Sequence, residues 1–326
     1  MTDRRAFLRS SAGGLVGIGT LPLLGALTGC QQAPTRQSSA GQAPARVAAP
    51  RPGTVSRAPV AGKVSVIAGV PGNVIVLDAG DGLLLVDSGA DGTARAVRSA
   101  LGGGKVRTLF NTHYHADQTG GNAPFAKAGA EIHAHTITKQ WLAADYYVPA
   151  EDRWVKAPPK EAVPTVTFRG RGEMKAGSER VEFGYLLEAH TRGDAYVFFR
   201  DSNVLCTGDV VSPLRDPALD WYAGGWLGGR VDAMDDLLEL VNDQTRVVPA
   251  YGPVMSRAEL QAERDMMTKL YDRTADLTAH GRSAKDMLEA GVMSEINRKF
   301  DHPDKFLYDV AKGLQAHYTN FGGNVV

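Results

Sequence analysis

From about residue 63 onward, short apolar runs alternate with glycine-marked turns. Val64–Gly69, Asn73–Asp78 and Gly82–Asp87 read as successive strands, with hairpin-type turns at Pro71-Gly72 and Asp81-Gly82. Gly92–Leu101 has the pattern of a helix, and Val106–Phe110 reads as a buried strand that gives way to a polar, glycine-containing loop. A second half repeats the order, with strands at Arg180–Glu188, Ala195–Phe199 and Val204–Cys206 and a helix at Ala233–Val241. From about residue 256 the pattern turns helical, through Arg257–His280, Ser283–Ala290 and Lys305–Phe321. Strands then helix, twice over, indicate an α/β domain, and the plain role of the helical C-terminal extension is to cover the sheet. The 264 residues from Lys63 suffice for one two-layered core.

The first 62 residues follow other rules. Asp3-Arg-Arg-Ala-Phe-Leu-Arg9 resembles a twin-arginine export signal, with Asp3 where Ser or Thr is more usual. The apolar segment Gly13–Leu27 falls short of the roughly 20 residues a membrane span needs and fits the core of a signal peptide. Leu27-Thr-Gly-Cys30 resembles a lipobox, in which Cys30 is lipidated and becomes the first mature residue. Residues 31–62, rich in Pro, Ala, Gln, Ser and Arg, cannot bury enough apolar surface to fold and read as a tether. Together they predict a lipoprotein on the periplasmic side of the cell envelope, anchored to the membrane through its N-terminus.

Charge and cysteine content narrow the class. The chain as a whole is neutral, with 36 basic and 36 acidic residues. Setting aside Asp3, Arg4, Arg5 and Arg9, then Arg36, Arg46, Arg51 and Arg57, leaves 29 basic against 35 acidic, a net of −6. A mildly acidic domain argues against nucleic-acid binding and for a small-molecule substrate. With Cys30 used by the anchor, Cys206 is alone in an apolar strand, so no disulfide framework is expected.

The chemistry concentrates in Asn111-Thr-His-Tyr-His-Ala-Asp-Gln-Thr-Gly-Gly121. Side chains two apart on extended backbone share a face, so His113 and His115, with Asp117 nearby, converge on one point. Neutral imidazole is the commonest protein ligand for zinc-like ions. Glu131-Ile-His-Ala-His135 imitates the spacing, but nothing ligand-like follows it, and its histidines read as structural.

The pattern resembles the metallo-β-lactamase superfamily, whose signature is HxHxDH at a strand end. Later landmarks fall in the family's order over residues 63–255: Asp87 after Leu83-Leu-Leu-Val, His190 after Tyr185-Leu-Leu-Glu-Ala, Asp209 after Asn203-Val-Leu-Cys-Thr-Gly, and Tyr251 in Val247-Val-Pro-Ala-Tyr-Gly-Pro-Val254. The resemblance implies an αββα sandwich and a first metal site of His113, His115 and His190. It implies a second site from Asp117, Gln118, Tyr251 and Asp209, with Gln118 and Tyr251 standing where the family has histidines. A neutral amide oxygen is a weak zinc ligand, and a phenol with a pKa of about 10 must lose its proton to bind well. One tightly held zinc, with a second metal weak or absent, is the expectation. Restoring His at 118 and 251 should then rebuild the second site.

One zinc suffices for hydrolysis, since three protein ligands leave a place for a metal-bound hydroxide. Asp117 would orient it and carry a proton, Asp209 would join or support the ligands, Gln118 would position water or substrate, and Tyr251 would donate to a developing oxyanion. A small ester, lactone, amide or thioester is the expected substrate. β-Lactam hydrolysis, a di-iron redox role and binding without turnover are the alternatives. Trp221, Tyr222 and Trp226, in a glycine-rich loop, and Trp141, Tyr146, Tyr147 and Trp154 either line the pocket or pack the loops down.

Overall fold

A computed structural model of the protein describes residues 55–320. Cys30, the export signal and all but the end of the tether lie outside the described residues. That end is a strand: β1 (Ser56–Ala61) pairs antiparallel with β2 (Val64–Ala68), so the folded domain starts before the expected boundary at residue 63. Its alternating half-exposed pattern is that of an edge strand, which composition alone hides.

β3 (Val74–Asp78) and β4 (Leu83–Val86) continue the meander. Helix α1 (Ala94–Ala100) then crosses to β5 (Val106–Asn111), which runs parallel to β4. Two short helices, α2 (Ala116–Thr119) and α3 (Asn122–Lys127), lead to the parallel strand β6 (Glu131–His135). After α4 (Thr136–Leu142) and a small hairpin, β7 (Tyr146–Val148) with β8 (Arg153–Val155), strand β9 (Val166–Phe168) completes a seven-stranded sheet.

The second sheet has five strands in sequence order: β10 (Gly172–Ala176), β11 (Glu179–Tyr185), β12 (Ala195–Phe199), β13 (Val204–Gly208) and, after helix α5 (Leu227–Leu240), the parallel strand β14 (Arg246–Pro249). Helices α6 (Arg257–Ala279), α7 (Ala284–Glu289) and α8 (Pro303–Asn320) form the C-terminal extension. Both α6 and α7 begin with capping boxes, Ser256 with Glu259 and Ser283 with Asp286.

Strand alternation sorts the apolar residues into layers. Leu84, Val86 and Phe110 face Val197, Phe199, Cys206 and Val248 between the sheets. Their sequence neighbours Leu83, Leu85 and Leu109 pack with Val97 and Phe125 on the outer face of the first sheet. Leu205 and Val247 meet Leu237, Met267, Leu270 and Leu314 outside the second. This is the expected αββα sandwich, and the extension does cover the second sheet.

Helix α5 starts at Leu227 rather than Ala233, taking Gly228 and Gly229 into its first turn. A Cβ on Gly229 would come within 2.2 Å of the Glu188 carbonyl oxygen. This glycine permits close packing, not the hinge motion its sequence context suggested. Among the described residues no helix is long and apolar enough to cross a membrane.

Candidate metal centre

The loops after β4, β5, β11, β13 and β14 carry the site. The β5 loop is set by Asp87, whose backbone turns at φ 61°. Its Oδ1 accepts from the Thr112 N–H at 2.8 Å and its Oδ2 from the Thr112 hydroxyl at 2.8 Å. The β11 loop is folded around Asp194, whose Oδ2 accepts from the N–H groups of His190 at 2.7 Å and Thr191 at 2.8 Å. Burial pushes both Asp87 and Asp194 up to about 7. The β13 loop comes close because Gly208 has φ +56° and no side chain: a Cβ there would lie 2.7 Å from Thr112. Asn73 holds the β14 loop, donating through Nδ2 to the carbonyls of Pro249 at 2.8 Å and Gly252 at 3.0 Å.

These loops bring His113, His115 and His190 together, with their ligand atoms within 4.8 Å of one another. The outer nitrogen of each ring is tied. Thr112 spends its one hydroxyl proton on Asp87, so it must accept from His113 Nδ1, 3.1 Å away. His115 Nε2 lies 2.6 Å from Asp220 Oδ2, and His190 Nδ1 lies 2.8 Å from the Ala218 carbonyl. Each outer nitrogen is thus protonated, and the inner ones, His113 Nε2, His115 Nδ1 and His190 Nε2, bear lone pairs. The first and third each lie 3.1 Å from His115 Nδ1, and with all three rings neutral no proton bridges either gap. Nitrogens about 2.0–2.1 Å from a tetrahedral zinc stand about 3.3 Å apart, so the triangle fits one such ion.

Electrostatics favour the neutral form of His113 and His190 and the charged form of His115. Burial, then the neighbouring imidazoles, hold His113 and His190 well below the usual histidine range and therefore neutral. Burial also opposes charge on His115, but the charge and hydrogen bond of Asp220 outweigh it and raise this group. Asp220 itself is buried, yet His115, Tyr114 and Tyr222 hold its carboxyl below the ordinary range.

Asp117, Gln118, Asp209 and Tyr251 do not join the triangle. Asp209 Oδ2 comes within 3.7 Å of His190 Nε2, but its carboxylate accepts from Ser212 Oγ at 3.0 Å and from Arg215. Asp117 accepts the Tyr251 hydroxyl proton and lies 3.7 Å from Arg215. Burial, then the charge of Asp117, pushes the Tyr251 phenol above its usual range, the reverse of what a phenolate ligand needs. Gln118 is fully buried, its amide atoms without hydrogen-bond partners and packed against Gly72.

Three organising residues escape the sequence analysis: Asp220, Arg215 and Arg230. Arg230 is completely buried and donates to the Asp209 carbonyl at 2.6 Å, Ser212 Oγ at 2.9 Å and the Ala218 carbonyl at 2.9 Å. Arg215 and Asp220 sit in the glycine-rich, aromatic loop before helix α5, and Arg230 lies in the first turn of that helix. Most of the aromatics pack together: Trp141 stacks on Tyr114 at 4.8 Å, Tyr146 meets it edge-on at 5.4 Å, and Tyr222 lies 6.3 Å from Trp141. Trp154 is left exposed. His135 stacks on Tyr185 at 4.0 Å, away from the triangle, as its structural reading requires.

The sequence model of the metallo-beta-lactamase superfamily matches residues 67–252, more than half of the chain. The chain belongs to the metallo-β-lactamase superfamily. It is 25% identical over 202 residues to the metallo-beta-lactamase type 2 of Bacillus cereus, covering 61% of this chain and 73% of that protein. It is 28% identical over 261 residues to the 2,4-dinitroanisole O-demethylase subunit alpha of Nocardioides sp. (strain JS1661), covering 77% and 70%. Solved structures with the same fold include a metallo-beta-lactamase from Pontibacter korlensis, at TM-score 0.54 and 19% identity over 66% of this chain and 99% of that one. Another is the inverting sec-alkylsulfatase Pisa1 from Pseudomonas sp., at TM-score 0.59 and 19% identity over 83% of this chain and 50% of that one. As a member of this superfamily the chain is a metal-dependent hydrolase, and His113, His115 and His190 are its possible metal site.

Proposed function

We propose that this protein is an exported one-zinc hydrolase acting on a small ester, lactone, amide or thioester. The triangle of three unprotonated ring nitrogens carries the reading, because it is the donor set of a catalytic zinc site. Zinc bound there supplies Lewis acidity and brings the pKa of water near 7. Asp117, two residues beyond His115 and partly open to solvent, accepts a proton from the attacking water and passes it to the leaving group. Tyr251 keeps that carboxylate oriented by donating to it. A cavity of about 420 Å³ beside the histidine motif, lined by Tyr114, Ala116, Trp141, Leu142 and Tyr146 but by none of the three histidines, would suit a partly apolar portion of the substrate.

β-Lactam hydrolysis is the second reading, favoured by the likeness to the Bacillus cereus enzyme. Tyr251 as a phenolate would favour the di-iron reading, but its proton is engaged with Asp117. Zinc-reconstituted protein tested against chromogenic esters, lactones and β-lactams decides: turnover of an ester or lactone supports the first reading, and turnover of β-lactams alone supports the second. No turnover with zinc bound would favour a binding protein. For export, Arg4→Lys with Arg5→Lys should leave full-length precursor in the cytoplasm, and Cys30→Ala should yield unlipidated protein. Unchanged membrane fractionation of both variants would refute the anchor.

A further inference from the structure

We propose that the guanidinium of Arg215 is the second cation of this site, standing in place of a second metal, and that the C-terminal extension holds it there. This deepens the one-zinc reading and rests on it.

The residues that resemblance assigns to a second metal do not fit one. Arg215 Nη2 donates to Asp209 Oδ2, and its Nη1 lies 3.7 Å from Asp117 Oδ2. The same guanidinium lies 3.6 Å over the Tyr251 ring, and Tyr251 keeps its proton on the bond to Asp117. Gln118 is packed against Gly72. Both carboxylates are thus already compensated by a cation that neither exchanges nor deprotonates, and the two remaining donors are a protonated phenol and a neutral amide. A divalent ion bridging the two carboxylates would have to displace the arginine that contacts both.

Arg215 is not a loose surface arm. Arg298 Nη2 donates to the backbone carbonyls of Ser212 and of Arg215 itself. Arg298 Nη1 lies 2.9 and 3.1 Å from the two oxygens of Glu263 on α6, and both side chains are largely buried. On the next residue, the Asp216 carboxylate accepts from the N–H groups of Asp301 at 3.0 Å and His302 at 2.7 Å. Glu263, Arg298, Asp301 and His302 all lie beyond residue 252, where the superfamily match ends. From the other side, Arg230 fixes the Asp209 carbonyl and Ser212 Oγ. The part of the chain that the family model leaves out therefore clamps the loop carrying the cation.

The test counts metal. Chelated protein is titrated with zinc, bound zinc is measured by elemental analysis and calorimetry, and circular dichroism melting checks that each variant is folded. The natural chain should take one equivalent. Gln118→His with Tyr251→His, keeping Arg215, should still take one. Adding Arg215→Ala should bring in a second. Arg298→Ala in the double-histidine background should admit a second equivalent more weakly, leaving the first unchanged. Two tight equivalents in the double-histidine protein would overturn the proposal while the one-zinc reading of the natural chain stands. One equivalent after Arg215 is removed would overturn it as well. Two in the natural chain would overturn both.

Discussion

The histidine side and the carboxylate side of this site are carried on adjacent loops, yet they meet opposite electrostatic problems. With their rings neutral, as a metal requires, His113, His115 and His190 turn three unprotonated nitrogens towards one another, with spacings of 3.1 Å along two edges. Asp117 and Asp209 turn two carboxylates towards the guanidinium of Arg215. Neutral donors with their outer nitrogens tied cannot relieve one another, so that side calls for an ion from outside. Carboxylates can be compensated by a side chain, and here one is supplied from within. The difference shows why a count of potential ligands overstates metal content: what matters is which donors are still unengaged once the chain has folded.

Removing a histidine should break the comparison most severely. His113→Ala takes away one corner of the triangle, leaves two neutral donors and opens a cavity in a buried pocket. Zinc content should fall to background, and metal-dependent turnover should fall with it. Elemental analysis of protein desalted after zinc loading checks this. Retention of a full equivalent would mean that the carboxylate side can hold metal after all.

A smaller effect is expected from the groups that tie the rings. In Asp220→Asn an amide oxygen can still accept from His115 Nε2, but the charge that favours protonation of that outer nitrogen is gone, and Tyr114 and Tyr222 lose part of a shared acceptor. Such supporting partners are worth about 10–100-fold in metal affinity. Competition with a zinc-binding dye should show a loss of that size, with the fold kept. Unchanged affinity would mean that His115 is oriented by packing against Tyr114 instead.

Much of this comparison could be read from the residues. Two corners of the histidine triangle were legible because His113 and His115 sit at i and i+2 at a strand end, while the third, His190, was placed by the motif order that the family resemblance supplied. The strands were legible from their apolar runs and the sandwich from the resemblance; in the fold, alternation puts Leu84 and Leu85 on opposite faces of the sheet. Asp220, Arg215 and Arg230 were not legible, because Asp220 and Arg215 reach partners about 100 residues away in His115 and Asp117, and the segment that carries all three has no periodicity before helix α5. Strand β1 stayed hidden within the tether, since an edge strand half open to water needs few apolar residues. The expectation that His at 118 and 251 would restore a second metal was formed without sight of Arg215, which lies against both acids.

The mildest perturbation sharpens the carboxylate side without touching the histidines. Tyr251→Phe removes the hydroxyl that Asp117 accepts from but leaves the ring beneath Arg215, so the guanidinium keeps its stacking partner and both its carboxylates. Asp117 loses one donor in a partly open position, where a hydrogen bond has a net worth of about 0.5–1.5 kcal/mol. Turnover should therefore fall by only about 2- to 10-fold, less than the 10²–10³-fold typical of losing an oxyanion donor. Zinc content should stay at one equivalent, because nothing in the triangle changes. Kinetics and stoichiometry measured on the same preparation separate the possibilities. A hundredfold loss with metal retained would show that the hydroxyl leaves Asp117 to meet the substrate, and a loss of metal equal to that of His113→Ala would make Tyr251 a ligand.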